Sequence, residues 1–363
     1  MKIQLLVDAP EFWAQLKDDL RRAERSAYIQ TFTFEGDRVG VGLARALESS
    51  PAEDRRLLVD RYSLLYHSDR IIPGPAWLDR GFRREVMLTH RWVGRLREAG
   101  VGVRFSNPLG PVPTQLVRRN HKKIAVFDGR IAYLGGINFS EHNFAWHDLM
   151  FRVECDELAQ VLTEDFLATW EGRPLARSVS VGPLTVISLN GKGNAQQMRP
   201  VVDAVDGAKR SIDVVSAYLS TPFTDHLAAA RARGVRVRVL TPGRNNKGNL
   251  ARHILEVAHR AGFEIHRCAG MSHMKAMVID DDLLVVGSSN FDFMSYHILE
   301  ELVVMTRHRD MLAAFVERAW TPDLAAAPRM ALASSRGTRL GNVAVRLGAS
   351  LAGVLATAGG VST

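Results

Sequence analysis

The chain has 363 residues, 46% of them apolar and 24% charged, which fits about two globular domains and excludes a largely disordered chain. Its two cysteines, Cys155 and Cys268, are too few for a disulfide scaffold and have no metal-type spacing, so a reducing compartment is expected. The net charge of +8 comes from 39 Arg and 8 Lys against 39 acids. Guanidinium groups grip phosphate through two parallel N–H donors, so this balance suits a phosphate-rich partner without choosing between lipid and nucleic acid.

No stretch reaches the ~18–20 uninterrupted apolar residues of a membrane span. The start, MKIQLLVDAPEFW, meets acids at once and lacks a signal-peptide core. The chain is therefore expected in the cytoplasm, reaching any lipid from outside the bilayer.

The elements then repeat once along the chain. Residues 23–34 (AERSAYIQTFTF) and 208–218 (AKRSIDVVSAY) each read as a helix end running into a strand. Helical patterns follow at 39–49 and 224–234, then strands at 55–60 and 235–240. Helices ending in EAG (98–100) and RAG (260–262) lead to strands at 101–105 and 263–267. Alternating helices and strands predict an α/β fold. The first strands stand 185 residues apart (23 and 208), but the later motifs only 152 apart (121 and 273). The first half thus carries insertions, at 66–84 and 106–120, which are expected to form loops near a site. Around Trp77, Phe82, Arg83 and Arg84 the first insertion mixes aromatic and basic residues and is the favoured contact with an anionic membrane surface. Three segments result: an N-terminal half at 1–175, a C-terminal half at 176–329 and a tail at 330–363. The halves join near 171–183, a Pro/Gly/Ser-containing stretch without apolar period. The tail holds Arg336, Arg339 and Arg346, has no acid, and spaces Leu340, Val343, Leu347, Leu351 and Val354 helically. It reads as a basic amphipathic helix or a flexible tail, and from Arg336 onward it is the second candidate contact with an anionic membrane.

Two copies of one pattern carry the chemistry. His121-x-Lys123, four residues, Asp128, six residues and Gly135-Gly136-x-Asn138 form the first; His273-x-Lys275, Asp280 and Gly287-Ser288-x-Asn290 form the second at the same spacing. On a strand, residues i and i+2 face one side, so each His is expected to project with its Lys. Two Lys and two Asn can neutralise and orient a phosphodiester. One neutral imidazole can attack phosphorus while the other, protonated, donates to the leaving oxygen.

The duplicated HxKx4D pattern resembles the phospholipase D superfamily over residues ~20–320. The run HKKIAVFDGRIAYLGGINFSE (121–141), with WHDLMFRVEC (146–155), LTEDFLATW (162–170), LTPGRNNKG (240–248) and GSSNFD (287–292), is most similar to its bacterial cardiolipin synthase branch. The resemblance implies two pseudo-twofold-related α/β halves forming a sandwich, with the active site at the interface between them. It implies a catalytic set of His121, Lys123, Asp128, His273, Lys275 and Asp280, with His121 as nucleophile through a phosphohistidine and His273 as general acid. The aspartates would brace strands and lysines rather than touch substrate. Asn138 and Asn290 would bind phosphate. Asp148 and Glu301, at the usual distance after each His, would orient the imidazoles, with Glu300 a competing choice. The implied activity is phosphatidyl transfer from phosphatidylglycerol by a chain acting as a monomer, with no cofactor and no metal. Hydrolysis by a phospholipase D, or a phosphodiesterase or nuclease acting on nucleic acid, is the alternative; nucleic acid is the less favoured partner, since no aromatic-basic stacking run is present. Many relatives carry Arg and Asn where this chain has Met294 and Leu299.

Overall fold

A computed structural model describes residues 1–67, 69–72, 74–110 and 116–358. The chain divides into two compact units, Met1–Leu175 and Ala176–Thr363.

The first unit holds β1 (Lys2–Val7), β2 (Ser26–Thr31), β3 (Asp54–Asp60), a small hairpin of β4 (Tyr66–His67) and β5 (Arg70–Ile71), then β6 (Gly102–Ser106), β7 (Ile124–Phe127), β8 (Ile131–Gly135) and β9 (Leu149–Glu154). Outside the hairpin they form one sheet in the order β1-β9-β8-β7-β2-β3-β6. β2, β3 and β6 run parallel, and every other neighbouring pair is antiparallel. Alternation along β2 shows why the sheet is covered on both faces. Ile29 packs with Phe12, Leu43 and Leu96 from three helices on one side. Tyr28, on the other side, stacks on Phe166 of the helix Asp156–Trp170 with 4.9 Å between ring centroids.

The second unit repeats this plan. Its strands are β10 (Arg177–Val181), β11 (Leu184–Asn190), β12 (Ser211–Ser216), β13 (Arg236–Pro242), β14 (Glu264–Cys268), β15 (Lys275–Ile279), β16 (Leu283–Gly287) and β17 (Glu300–Thr306). The order is β10-β11-β17-β16-β15-β12-β13-β14. Removing β10 leaves the order of the first sheet, strand for strand. The join, read as lacking an apolar period, contains a strand: Val179 and Val181 alternate with serines in β10, which pairs β11.

Two expectations change. In the first half the strand begins at Ile124, after the motif His and Lys, whereas in the second it begins at Lys275. Phe82 is not a surface aromatic. Asp79 caps the helix Arg80–Glu98 by accepting from the N–H groups of Gly81 and Phe82. This sets Phe82, Val86, Trp92 and Leu96 on the buried face, and the Phe82 ring meets His67 at 6.4 Å. Trp77 and Leu78, before the helix, remain exposed.

Residues Arg336–Ala358 form a helix. It packs on the helix Gly248–Ala261 so closely that a Cβ on Gly341 would overlap the Arg252 side chain. Asn342 Oδ1 lies 2.9 Å from His253 Nδ1, Thr338 donates to Glu256 at 2.6 Å, and Arg346 pairs with Asp225 at 2.7 Å. Among the described residues, no helix is long and apolar enough to cross a membrane.

Candidate active site

Each half builds its motif in the same way. In the first, Asn120, His121, Lys122 and Lys123 lead into β7. Asp60 holds this approach: its carboxylate accepts the Asn120 N–H at 2.6 Å and pairs with Arg119 at 3.2 Å. Gln30 donates to Asn120 Oδ1 at 2.9 Å. Alternation then turns Lys122 and Lys123 to opposite sides. Lys122 is fully buried, with Nζ 2.8 Å from both carboxylate oxygens of Asp165 on the helix Asp156–Trp170. Lys123, only 1% exposed, donates to the backbone carbonyl of His121. The Phe32 ring, just past β2, stands 5.1 Å from the His121 imidazole and 5.5 Å from Lys123 Nζ. Tyr62 stacks on Phe32, and Tyr66 on Tyr62.

After β8 the chain reaches Asn138, which is buried and whose Oδ1 has no hydrogen-bond partner among the described residues. Asp148, also buried, packs against Gly136, where a Cβ would overlap its carboxylate; Asp148 Oδ1 accepts the Leu149 N–H at 2.8 Å. Glycine at 135 is equally forced, because a Cβ there would overlap the Leu149 carbonyl.

The second half repeats the device with different neighbours. Lys275, 1% exposed, donates to the His273 carbonyl. Tyr218, past β12, sets its ring 6.1 Å from His273, and Lys247 Nζ lies 5.8 Å from that ring. Asn290 is buried and its Oδ1, like that of Asn138, has no hydrogen-bond partner among the described residues. Register identifies the acid matching Asp148. Gly136 N–H donates to Leu149 O and Ser288 N–H to Leu302 O, so the residue before each carbonyl is Asp148 in one half and Glu301 in the other. Glu301 is buried and accepts from the hydroxyls of Ser288 and Ser295. Glu300 precedes it by one position, so alternation turns it to the opposite face of β17. Met294 and Leu299 are half-buried beside these residues, and the Leu299 carbonyl accepts from Asn194.

Asp128 and Asp280 lie beyond the far ends of β7 and β15, both with φ of 54°. Asp128 accepts the N–H groups of Glu24, Arg25 and Ser26, and Asp280 those of Lys209, Arg210 and Ser211. Each thus ties its strand to the start of β2 or β12. Partial burial works to raise both carboxyls, but the backbone donors and the neighbouring arginine outweigh it and hold both below the usual range. A depressed carboxyl contributes stability that is present above its unfolded value near 4 and is lost as pH falls through the folded value. Asp280→Ala is expected to cost about 1–2 kcal/mol at pH 7, as loss of a cap does, with turnover within a few-fold of wild type. The difference in stability should shrink below pH 4. Thermal unfolding of both proteins from pH 3 to 7 checks it.

Sequence reasoning missed the aromatic walls (Phe32, Tyr62, Tyr66 and Tyr218), Lys247, and the Arg119–Asp60 pair. The signals were present: the QTFTF end of the first strand, and Arg119-Asn120 directly before His121. Among the described residues, no group of three His, Cys, Asp or Glu side chains could hold a metal ion.

A duplicated seven-strand unit in which each copy buries the Lys of an HxKx4D motif and an Asn ten residues beyond the motif Asp is the arrangement of the phospholipase D superfamily of enzymes. The family model described as cardiolipin synthase, PLD-like domain, matches residues 16–170 and 201–320, and the chain belongs to this family. The chain is 28% identical to cardiolipin synthase A of Pseudomonas syringae pv. syringae, over 93% of its own length and 71% of that protein's. It is 26% identical to a cardiolipin synthase of Geobacillus kaustophilus, over 86% and 64%. It thus spans about two thirds of these relatives. In fold it is similar to a phosphatidylserine synthase of Haemophilus influenzae, with a TM-score of 0.71 at 14% identity, covering 97% of this chain and 95% of that one.

Proposed function

We propose that this chain is a phosphatidyltransferase of the cardiolipin synthase type, peripheral on the inner face of the cell membrane, and that both motifs act on one phosphodiester. The observation that carries the reading is the twice-built set: a motif His, a buried Lys donating to that His carbonyl, and a buried Asn whose amide N–H groups can donate to phosphate. The names of the relatives supply the substrate class, a phospholipid.

The neutral His121 imidazole attacks phosphorus of phosphatidylglycerol, and the bond from phosphorus to the glycerol oxygen breaks. His273 gives that oxygen its proton, so glycerol leaves and a phosphatidyl group stays on His121. His273, now neutral, takes the proton of an acceptor hydroxyl; that oxygen attacks phosphorus and the P–N bond breaks. Lys123, Lys275, Asn138 and Asn290 balance and orient the phosphate charge. Asp148 and Glu301 are the orienting acids, since a carboxylate against an imidazole fixes its tautomer and supports the imidazolium. Transfer rather than hydrolysis requires water to be kept from the intermediate.

The test is mass analysis of lipids after the purified chain meets phosphatidylglycerol vesicles. Diphosphatidylglycerol with glycerol release is expected. Phosphatidic acid alone would make it a hydrolase, and no lipid product would remove the lipid reading.

A further inference from the structure

The helix Arg336–Ala358 has two unlike faces. One carries Gly341, Val345 and Ala352, buried in contact with the rest of its unit. The other carries Leu340, Val343, Leu347, Leu351 and Val354, which are 53–66% exposed. At about 100° per residue, these five fall within an arc of roughly 80°, opposite the buried face. Among the described residues, every exposed large hydrophobic side chain of the second unit lies on this stripe. Scattered exposed leucines need no explanation, but a continuous stripe along one helix does.

Its charge identifies what covers it. From 336 to 358 the chain contains Arg336, Arg339 and Arg346 and no Lys, His or acid. Arg336 lies in line with the stripe at its N-terminal end, while Arg339 and Arg346 border one side. A second copy of this helix would bring arginines to arginines with no carboxylate to answer them. A surface that is apolar below and anionic above satisfies both features.

We propose that this face is a docking surface for an anionic lipid bilayer, with the helix lying in the plane of the interface. The helix also bears on the segment carrying the second motif. Gly348 and Gly353 face Phe293 and His297 of the short helix Phe293–His297, which starts three residues after Asn290. A docked helix would therefore hold that segment directly behind it, about one helix diameter from the lipid surface. The inference deepens the phospholipid reading and rests on it for the purpose of docking, but binding can be measured without turnover.

The experiment uses the full chain carrying His121→Ala, so that vesicle lipid is not consumed. Co-sedimentation with vesicles of phosphatidylglycerol and phosphatidylcholine should show binding that weakens with salt, and little binding to phosphatidylcholine alone. Leu347→Gln/Leu351→Gln should lower affinity at least about tenfold, and Arg336→Gln/Arg339→Gln several-fold with a shallower salt dependence. Because these side chains are exposed, circular dichroism and the thermal midpoint should not change. With His121 restored, Leu347→Gln/Leu351→Gln should lose turnover on vesicles but keep it on detergent-dispersed phosphatidylglycerol. Salt-sensitive vesicle binding without turnover on either substrate form would leave the docking surface standing and remove the lipid-substrate reading. Equal vesicle binding by variant and wild type, or equal binding to neutral vesicles, would overturn the docking surface. So would a dimer in sedimentation that the double-Gln variant abolishes, which would assign the stripe to a second copy.

Discussion

His121→Ala is expected to lower kcat by about 10⁴-fold or more, and His273→Ala by about 10²–10⁴-fold, each with little change in KM. The asymmetry follows from the proposed roles. Without the nucleophile no covalent route remains. Without the acid the route survives but must expel an unprotonated alkoxide. In the proposed site phosphate binding rests on Lys123, Lys275, Asn138 and Asn290, which neither change touches, so KM should hold. Leaving-group dependence separates the two histidines further. A phosphatidyl ester whose leaving group departs without a proton should restore much of the first step in His273→Ala and none in His121→Ala. Steady-state kinetics on both esters check this. Turnover near wild type in either variant on phosphatidylglycerol would end the two-histidine mechanism.

The second large effect is on stability. Lys122 and Asp165 are both fully buried, with Nζ 2.8 Å from each carboxylate oxygen. Lys122→Met strands the Asp165 carboxylate without its cation and is expected to cost about 3–5 kcal/mol. In a unit of this size that lowers the thermal midpoint by roughly 10 °C. Replacing both partners, Lys122→Met/Asp165→Leu, removes the stranded charge and should recover most of the loss. The second half argues for this, because Met274 occupies the place of Lys122 there and is equally buried. Calorimetry of the three proteins decides it; a double variant no more stable than the single one would show that the pair is irreplaceable at this position.

Much of this was legible in the sequence for a physical reason. The repeat spaced its strands and helices alike in both halves, and strands covered on both faces read as plain apolar runs. The motif spacing likewise located Asn138 and Asn290, since β7–β8 and β15–β16 are short antiparallel pairs with little freedom in length. What stayed hidden depended on partners far along the chain. β1 is the edge neighbour of β9, 147 residues on from Lys2 to Leu149, and nothing local in MKIQLLV announces that pairing. Lys122 sits between two site residues, and only its contact with Asp165 shows that it faces away from them. Phe82 looked like a surface aromatic because Arg80, Arg83 and Arg84 surround it in the sequence; the Asp79 cap sets the helix phase that buries it. Glu301 could be told from Glu300 only from the hydrogen bond joining Ser288 to Leu302, because the second half places its acid one position further past Ser288 than the first half places Asp148 past Gly136.

The covalent intermediate is the most direct point of decision. Wild-type protein is mixed with phosphatidylglycerol labelled at phosphorus, quenched in alkaline denaturant within a turnover, and digested for peptide mapping. The account predicts an acid-labile, alkali-stable label on the peptide containing His121, absent from His121→Ala. Label on the His273 peptide would exchange the two roles. No protein-bound label in the wild type, with product still formed, would contradict the account.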